Sequence, residues 1–112
     1  IPWADAARRA AFENWLARIA PAHGLRPETL EPASADASFR RYLRLAGRDG
    51  TLIVMDAPPP QEDVRPFVRM ARRIGEAGLH APQVLEADED RGFLLLSDLG
   101  RTLYLERLQQ AD

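Results

Sequence analysis

The stretch 41-RYLRLAGRDGTLIVMD-56 decides the fold. Arg41–Ala46 alternates apolar and polar side chains with the period of two that a half-buried strand requires. Asp49-Gly50 is the strongest short hairpin signal, because tight hairpin turns need residues that tolerate positive φ. Thr51–Asp56 is rich in residues that favour a pleated surface. The two runs are therefore expected to pair antiparallel.

Downstream, 58-PPP-60 breaks structure, since proline has no N–H to donate within a sheet. An amphipathic helix is expected over Asp63–Ala77. Asp63 is placed to cap it, and Pro66 is tolerated in the first turn. Val64, Phe67, Val68, Ala71 and Ile74 form its apolar stripe, Arg65, Arg69, Arg72 and Arg73 take other positions, and Gly78 stops it. After Pro82, 83-QVLEAD-88 and 92-GFLLLS-97 predict a second hairpin around Glu89–Arg91. Upstream, Ala7, Ala11, Trp15, Leu16 and Ile19 recur at helical spacing, and Pro21 and Gly24 are expected to end that helix. A short extended segment follows near Thr29–Ala33. A last helix is predicted to begin near Thr102. The sum is an α+β architecture: a five-stranded antiparallel sheet with the Asp63–Ala77 helix on one face, preceded by the N-terminal helix.

With 112 residues, 46% apolar and 29% charged, the chain has the make-up of one modest soluble domain. Its net charge of −2 gives no global electrostatic case for nucleic acid or an anionic membrane. There is no cysteine, which excludes disulfides and thiolate metal sites. The longest apolar run, 93-FLLL-96, is far too short to span a bilayer, and no secretory signal is expected among Asp5, Arg8, Arg9 and Glu13. All 15 basic residues are arginine, so no mechanism within this chain uses a lysine. His23 and His80 are expected to be loop or core residues, and 86-EADED-90 a charged hairpin tip.

The loop 34-SADASFRRY-42 sets small residues, an aromatic and two arginines between strands. Small residues let backbone N–H groups approach an anion, and guanidinium groups add charge-assisted bonds. A solvent-exposed turn is the other reading of these residues.

Taken with 54-VMDAPPP-60 and 94-LLLSDLG-100, this loop resembles the aminoglycoside phosphotransferase-like family, whose N-terminal lobe has the kinase fold. Within it the sequence looks like the bacterial sugar kinases that act on the anomeric hydroxyl of N-acetylmuramate and N-acetylglucosamine. The resemblance runs from about Thr29 to the C-terminus. It implies an N-terminal helix and linker over 1–27, a nucleotide-covering lobe over 28–100, and the hinge exit with the start of a C-terminal lobe over 101–112.

The resemblance also implies a site. Ser38, Phe39, Arg40 and Arg41 would belong to the loop that covers the nucleotide phosphates. The Ser97 carbonyl and the Leu99 N–H would read adenine, with Leu96 at the back of its pocket and Val54 in its roof, leaving an exposed apolar cleft around Leu94–Gly100. The implied cofactors are ATP and Mg2+. The metal ligands and the His-x-Asp catalytic loop would lie in the C-terminal lobe, so this chain alone is not expected to be active. The implied setting is cytoplasmic, with an amino sugar as acceptor in peptidoglycan recycling and no nucleic-acid or membrane partner.

Protein kinases carry a lysine on the third strand, and here Asp56 stands at that position. It either orients an arginine, with Arg69 the first candidate, or caps the strand end. Two other readings remain: a non-catalytic α+β interaction module, closed around Leu94–Gly100, and the N-terminal lobe of a kinase acting on an aminoglycoside or another small alcohol.

Overall fold

The structure, a computed structural model, describes residues 3, 5–35, 40–79 and 81–98, with only the backbone at 34 and 35. Its elements run α1 (Ala6–His23), β1 (Arg26–Ala35), β2 (Arg41–Gly47), β3 (Gly50–Asp56), α2 (Arg65–Glu76), β4 (Val84–Asp88) and β5 (Phe93–Ser97). The five strands form one antiparallel sheet in the order β1-β2-β3-β5-β4. Both expected hairpins are present, and β1 is longer than the segment near Thr29–Ala33. The helix expected from Thr102 lies outside the described residues.

The helix termini follow local chemistry. The Asp5 carboxylate accepts the Ala7 N–H at 2.9 Å and caps α1. Pro21 lies inside α1 and does not end it. A proline near the C-terminal end forfeits only its own N–H bond, and Gly24, at φ 61°, makes the left-handed stop. In α2, Val64 takes the N-cap position without a side-chain bond. Asp63 still accepts the Arg65 N–H at 3.1 Å, and that bond, with the Arg65 charge beside it, holds its carboxyl below the usual carboxylate range.

Alternation along β2, β3 and β5 divides their side chains between two faces. Tyr42, Ile53, Met55, Leu94 and Leu96 meet Val64, Phe67, Val68 and Ala71 around α2. Leu43, Leu45, Val54, Phe93 and Leu95 meet Phe12, Trp15, Leu16 and Ile19 of α1. The sheet is therefore covered on both faces, not on the α2 face alone. The physical reason lies in 93-FLLL-96: all four of its side chains are buried, and a continuous apolar strand needs a cover on each side. Ile74, expected in the core, is only half-buried in the last turn of α2.

Phe67 is enclosed against the α2 face of the sheet. Phe67→Ala is expected to cost about 3–5 kcal/mol in a denaturant melt. A loss below about 1 kcal/mol would mean that α2 does not dock through this ring.

Candidate functional site

Asp56 ends β3 and is the buried charged residue of the described core, 3% exposed. Both of its oxygens are taken by guanidinium groups. Arg8 of α1 donates from Nε at 3.0 Å and from Nη2 at 2.6 Å to Oδ1. Arg41 donates from Nε at 3.1 Å and from Nη2 at 2.9 Å to Oδ2. Arg41 is the cross-strand neighbour of Asp56 in the β2–β3 ladder, so the two side chains share a face. Arg8 reaches the same spot from above; its Nη1 also donates to the Arg91 carbonyl at 2.6 Å. The Arg8 guanidinium lies 4.2 Å from the Phe93 ring centroid and that of Arg41 lies 4.3 Å from Trp3. A carboxylate withdrawn from water needs this degree of pairing.

This arrangement corrects the sequence reading of Asp56. Its partners are Arg8 and Arg41, not Arg69. Successive strand residues point to opposite faces, so Met55 turns toward α2 while Asp56 turns toward α1, away from the helix that carries Arg69. The β3 residues that face the following helix are Ile53 and Met55.

At the exit of the 34–42 loop the two arginines part company. Arg41 is braced by Asp56, whereas the Arg40 Nε donates to Glu62 Oε1 at 2.6 Å, ahead of α2. That ion pair is largely withdrawn from water, at 13% and 12% side-chain exposure. Ser38 and Phe39 lie outside the described residues.

The sequence reading placed Val54 and Leu96 in one pocket, and the structure separates them. Val54 is the partner of Leu95, and Leu96 that of Ile53. Val54 therefore packs under α1 and Leu96 under α2. Leu94, Leu95 and Leu96 are all fully buried, so no apolar cleft opens along that part of 94–100. The two helices have already covered both faces of β5. Leu99 and Gly100 lie outside the described residues.

Beyond Leu96 the exit of β5 is held on two sides. The Ser97 Oγ accepts the Gln83 N–H at 2.8 Å, and the Ser97 N–H donates to the Gln83 carbonyl at 3.0 Å. Asp98 takes Arg44 Nε on Oδ2 at 2.7 Å and Arg44 Nη2 on Oδ1 at 3.3 Å. The Thr51 hydroxyl adds a third bond to Oδ2 at 2.8 Å.

The sequence reading missed Arg8, Glu62, Arg44, Thr51 and Asp98. No local pattern marks them: Arg8 meets Asp56 across 48 residues and Arg44 meets Asp98 across 54. The turn after β4 is the charged tip expected, with Asp88 on Arg91 at 3.2 Å and Asp90 on Arg65 at 2.8 Å. An open groove of about 640 Å³ runs beside β4, between Trp15 and Ile19 of α1 and Arg72 of α2. Among the described residues no cluster of acids and histidines is placed to hold a metal ion.

Comparison with known proteins bears on the same segment. The family model of the phosphotransferase enzyme family matches residues 29–112. The N-acetylmuramate/N-acetylglucosamine kinase of Pseudomonas aeruginosa is 61% identical over 82 residues, 73% of this chain and 24% of its own length. The protein of the same name from Pseudomonas putida is 50% identical over 78 residues, 70% of this chain and 23% of its own. A third, from Neisseria meningitidis serogroup B, is 40% identical over 104 residues, 92% of this chain and 30% of its own. The chain thus spans between about a quarter and a third of the length of these curated relatives.

Proposed function

The chain belongs to the phosphotransferase enzyme family, and on that premise we propose that it is the nucleotide-covering lobe of an ATP-dependent amino-sugar kinase. The complete protein would phosphorylate N-acetylmuramate or N-acetylglucosamine at the anomeric hydroxyl, in the cytoplasm, as a step in cell-wall recycling. The observation that supports this most is the match to three kinases of that name across 70–92% of the chain. No described helix is long and apolar enough to cross a membrane.

The exit of the 34–42 loop is our candidate for contact with the polyphosphate. Arg40 stands at the loop exit with its Nε aimed by the half-buried Glu62 carboxylate, and a guanidinium is suited to binding phosphate oxygens. We assign phosphate contact to Arg40 with Ser38 and Phe39 of the same loop, and adenine reading to the Ser97 carbonyl and the Leu99 N–H. Arg41 and Asp56 brace the base of the loop from the α1 side. ATP, when bound, supplies the transferred γ-phosphoryl group; Mg2+ ligands and the catalytic base belong to the remainder of the protein.

The test is to incubate the full-length protein with ATP and each sugar and to locate the phosphate by phosphorus NMR. Phosphate on the anomeric oxygen is the expected product. Transfer to another hydroxyl, or only to an aminoglycoside, overturns the substrate. Arg40→Ala is expected to raise KM for ATP about tenfold, the worth of one charged hydrogen bond, with KM for the sugar unchanged. Equal kinetics for Arg40→Ala and Ser38→Ala against the parent would make the loop a mere connection.

One observation favours a second reading, a binding module without nucleotide chemistry: the closed surface over Leu94–Leu96. Calorimetric titration of the full-length protein with ATP separates the two, since a module of that kind takes up no nucleotide.

A further inference from the structure

We infer that Asp98 is a positioning residue, clamped by Arg44 and Thr51 so that the chain leaves β5 in one direction and presents the neighbouring backbone groups to the nucleotide base. The inference rests on the reading proposed above. It begins from a strand end that is held more tightly than strand ends require. The Arg44 fork puts one N–H on each oxygen of the Asp98 carboxylate, and the Thr51 hydroxyl takes a further lone pair. Two N–H groups in a rigid plane fix the rotation of a carboxylate, which a single point charge does not. The carboxylate is 8% exposed and the guanidinium 15%, so little water competes for either.

The clamp ties the central hairpin to the residue that follows β5. Arg44 lies on β2 and Thr51 on β3, so both belong to the central hairpin. Asp98 follows the last residue of β5, and β5 pairs with β3 as far as Leu52↔Ser97. From the other side, Gln83 exchanges two hydrogen bonds with Ser97. The residues on either side of Asp98 in sequence are Ser97, whose carbonyl is assigned to adenine, and Leu99, whose N–H is. Main-chain recognition has no side chain to adjust, so its accuracy depends on what holds the backbone still. Asp98 is the anchored point between those two groups.

The experiment uses the full-length protein with Asp98→Ala, Asp98→Asn, Arg44→Lys and Thr51→Val. Calorimetry gives Kd for ATP and for GTP, initial rates give KM for each substrate, and thermal melts report stability. Asp98→Ala is expected to weaken ATP binding about tenfold and to reduce the preference for ATP over GTP, with sugar KM and kcat within about twofold of the parent. Arg44→Lys should reproduce part of this loss and Asp98→Asn should recover part of it. Asp98→Ala that is folded at the assay temperature, with unchanged Kd and unchanged base preference, overturns the inference even if its Tm falls. If Asp98→Ala does not fold, Thr51→Val decides: it keeps the ion pair and should weaken ATP binding about two- to threefold, and no change overturns the inference. A parent protein that binds no nucleotide overturns the proposed function and this inference with it, whereas a binding parent with unaltered variants overturns this inference alone.

Discussion

Replacing Gly92 with alanine is expected to cost on the order of 4 kcal/mol or more, a large share of the roughly 5–15 kcal/mol that keeps a domain folded. Gly92 has φ of 77°, which side chains beyond glycine rarely adopt. A Cβ at this position would stand 1.9 Å from the Ala57 carbonyl oxygen and 3.4 Å from Pro59 Cδ. The crowding atom is backbone, so no rotamer change relieves it. Retreat is blocked as well, because the Gly92 carbonyl accepts the Ala57 N–H at 2.9 Å and the Gly92 N–H donates to the Asp88 carbonyl at 2.8 Å. Those bonds lay the β4–β5 turn against the end of β3. Gly78→Ala is the matched control: φ is 78°, but nothing lies within 4 Å of its Cβ. Only the backbone penalty of about 1–2 kcal/mol is then expected. Denaturant midpoints measure both, and losses equal within about 1 kcal/mol would refute the close approach.

The second large effect is expected at Phe93, which is fully buried beneath α1. Its ring stacks on Trp15 at 5.3 Å between centroids and meets Phe12 edge-on at 5.6 Å. The Arg8 guanidinium lies on its remaining side. Phe93→Ala removes the contact surface of three side chains at once, and neither helix nor sheet can collapse into the space. A loss of about 3–5 kcal/mol is expected, together with a changed Trp15 emission. A variant that melts within about 1 kcal/mol of the parent would show that α1 is not seated on the sheet.

These two sites also mark what could and could not be read from the residues alone. The central hairpin was legible almost to the residue, because Asp49-Gly50 and the alternation around it are local signals. The stripe on α2 was legible for the same reason, apart from Ile74 in its final turn. Which cover each face receives is not a local property. The apolar stripe of α1 announces that it must be buried, but not against what. The partner of Asp56 turned on that missing fact: once α1 lies over the Val54 face, Arg8 is at hand and Arg69 is on the wrong side. The separation of Val54 from Leu96 needed the register between β3 and β5, two strands with a helix between them in sequence. At the proposed nucleotide site, the loop and the segment after β5 were singled out from resemblance. The groups that hold them, Glu62 for Arg40 and Arg44 for Asp98, came into view only in three dimensions.

The strand order also has a bearing on how molecules of this protein meet one another. It leaves β1 and β4 as outer strands, where free N–H and C=O groups invite a further chain. β1 includes Pro27 and Pro32, which have no N–H to offer, and exposes Arg26, Glu28 and Glu31. β4 is five residues long and carries Glu86 and Asp88. An incoming strand finds donors missing along one border and a short, negatively charged rail along the other. Border-to-border growth into fibrils is disfavoured at both ends, and the sheet gains colloidal protection from residues that contribute nothing to its core.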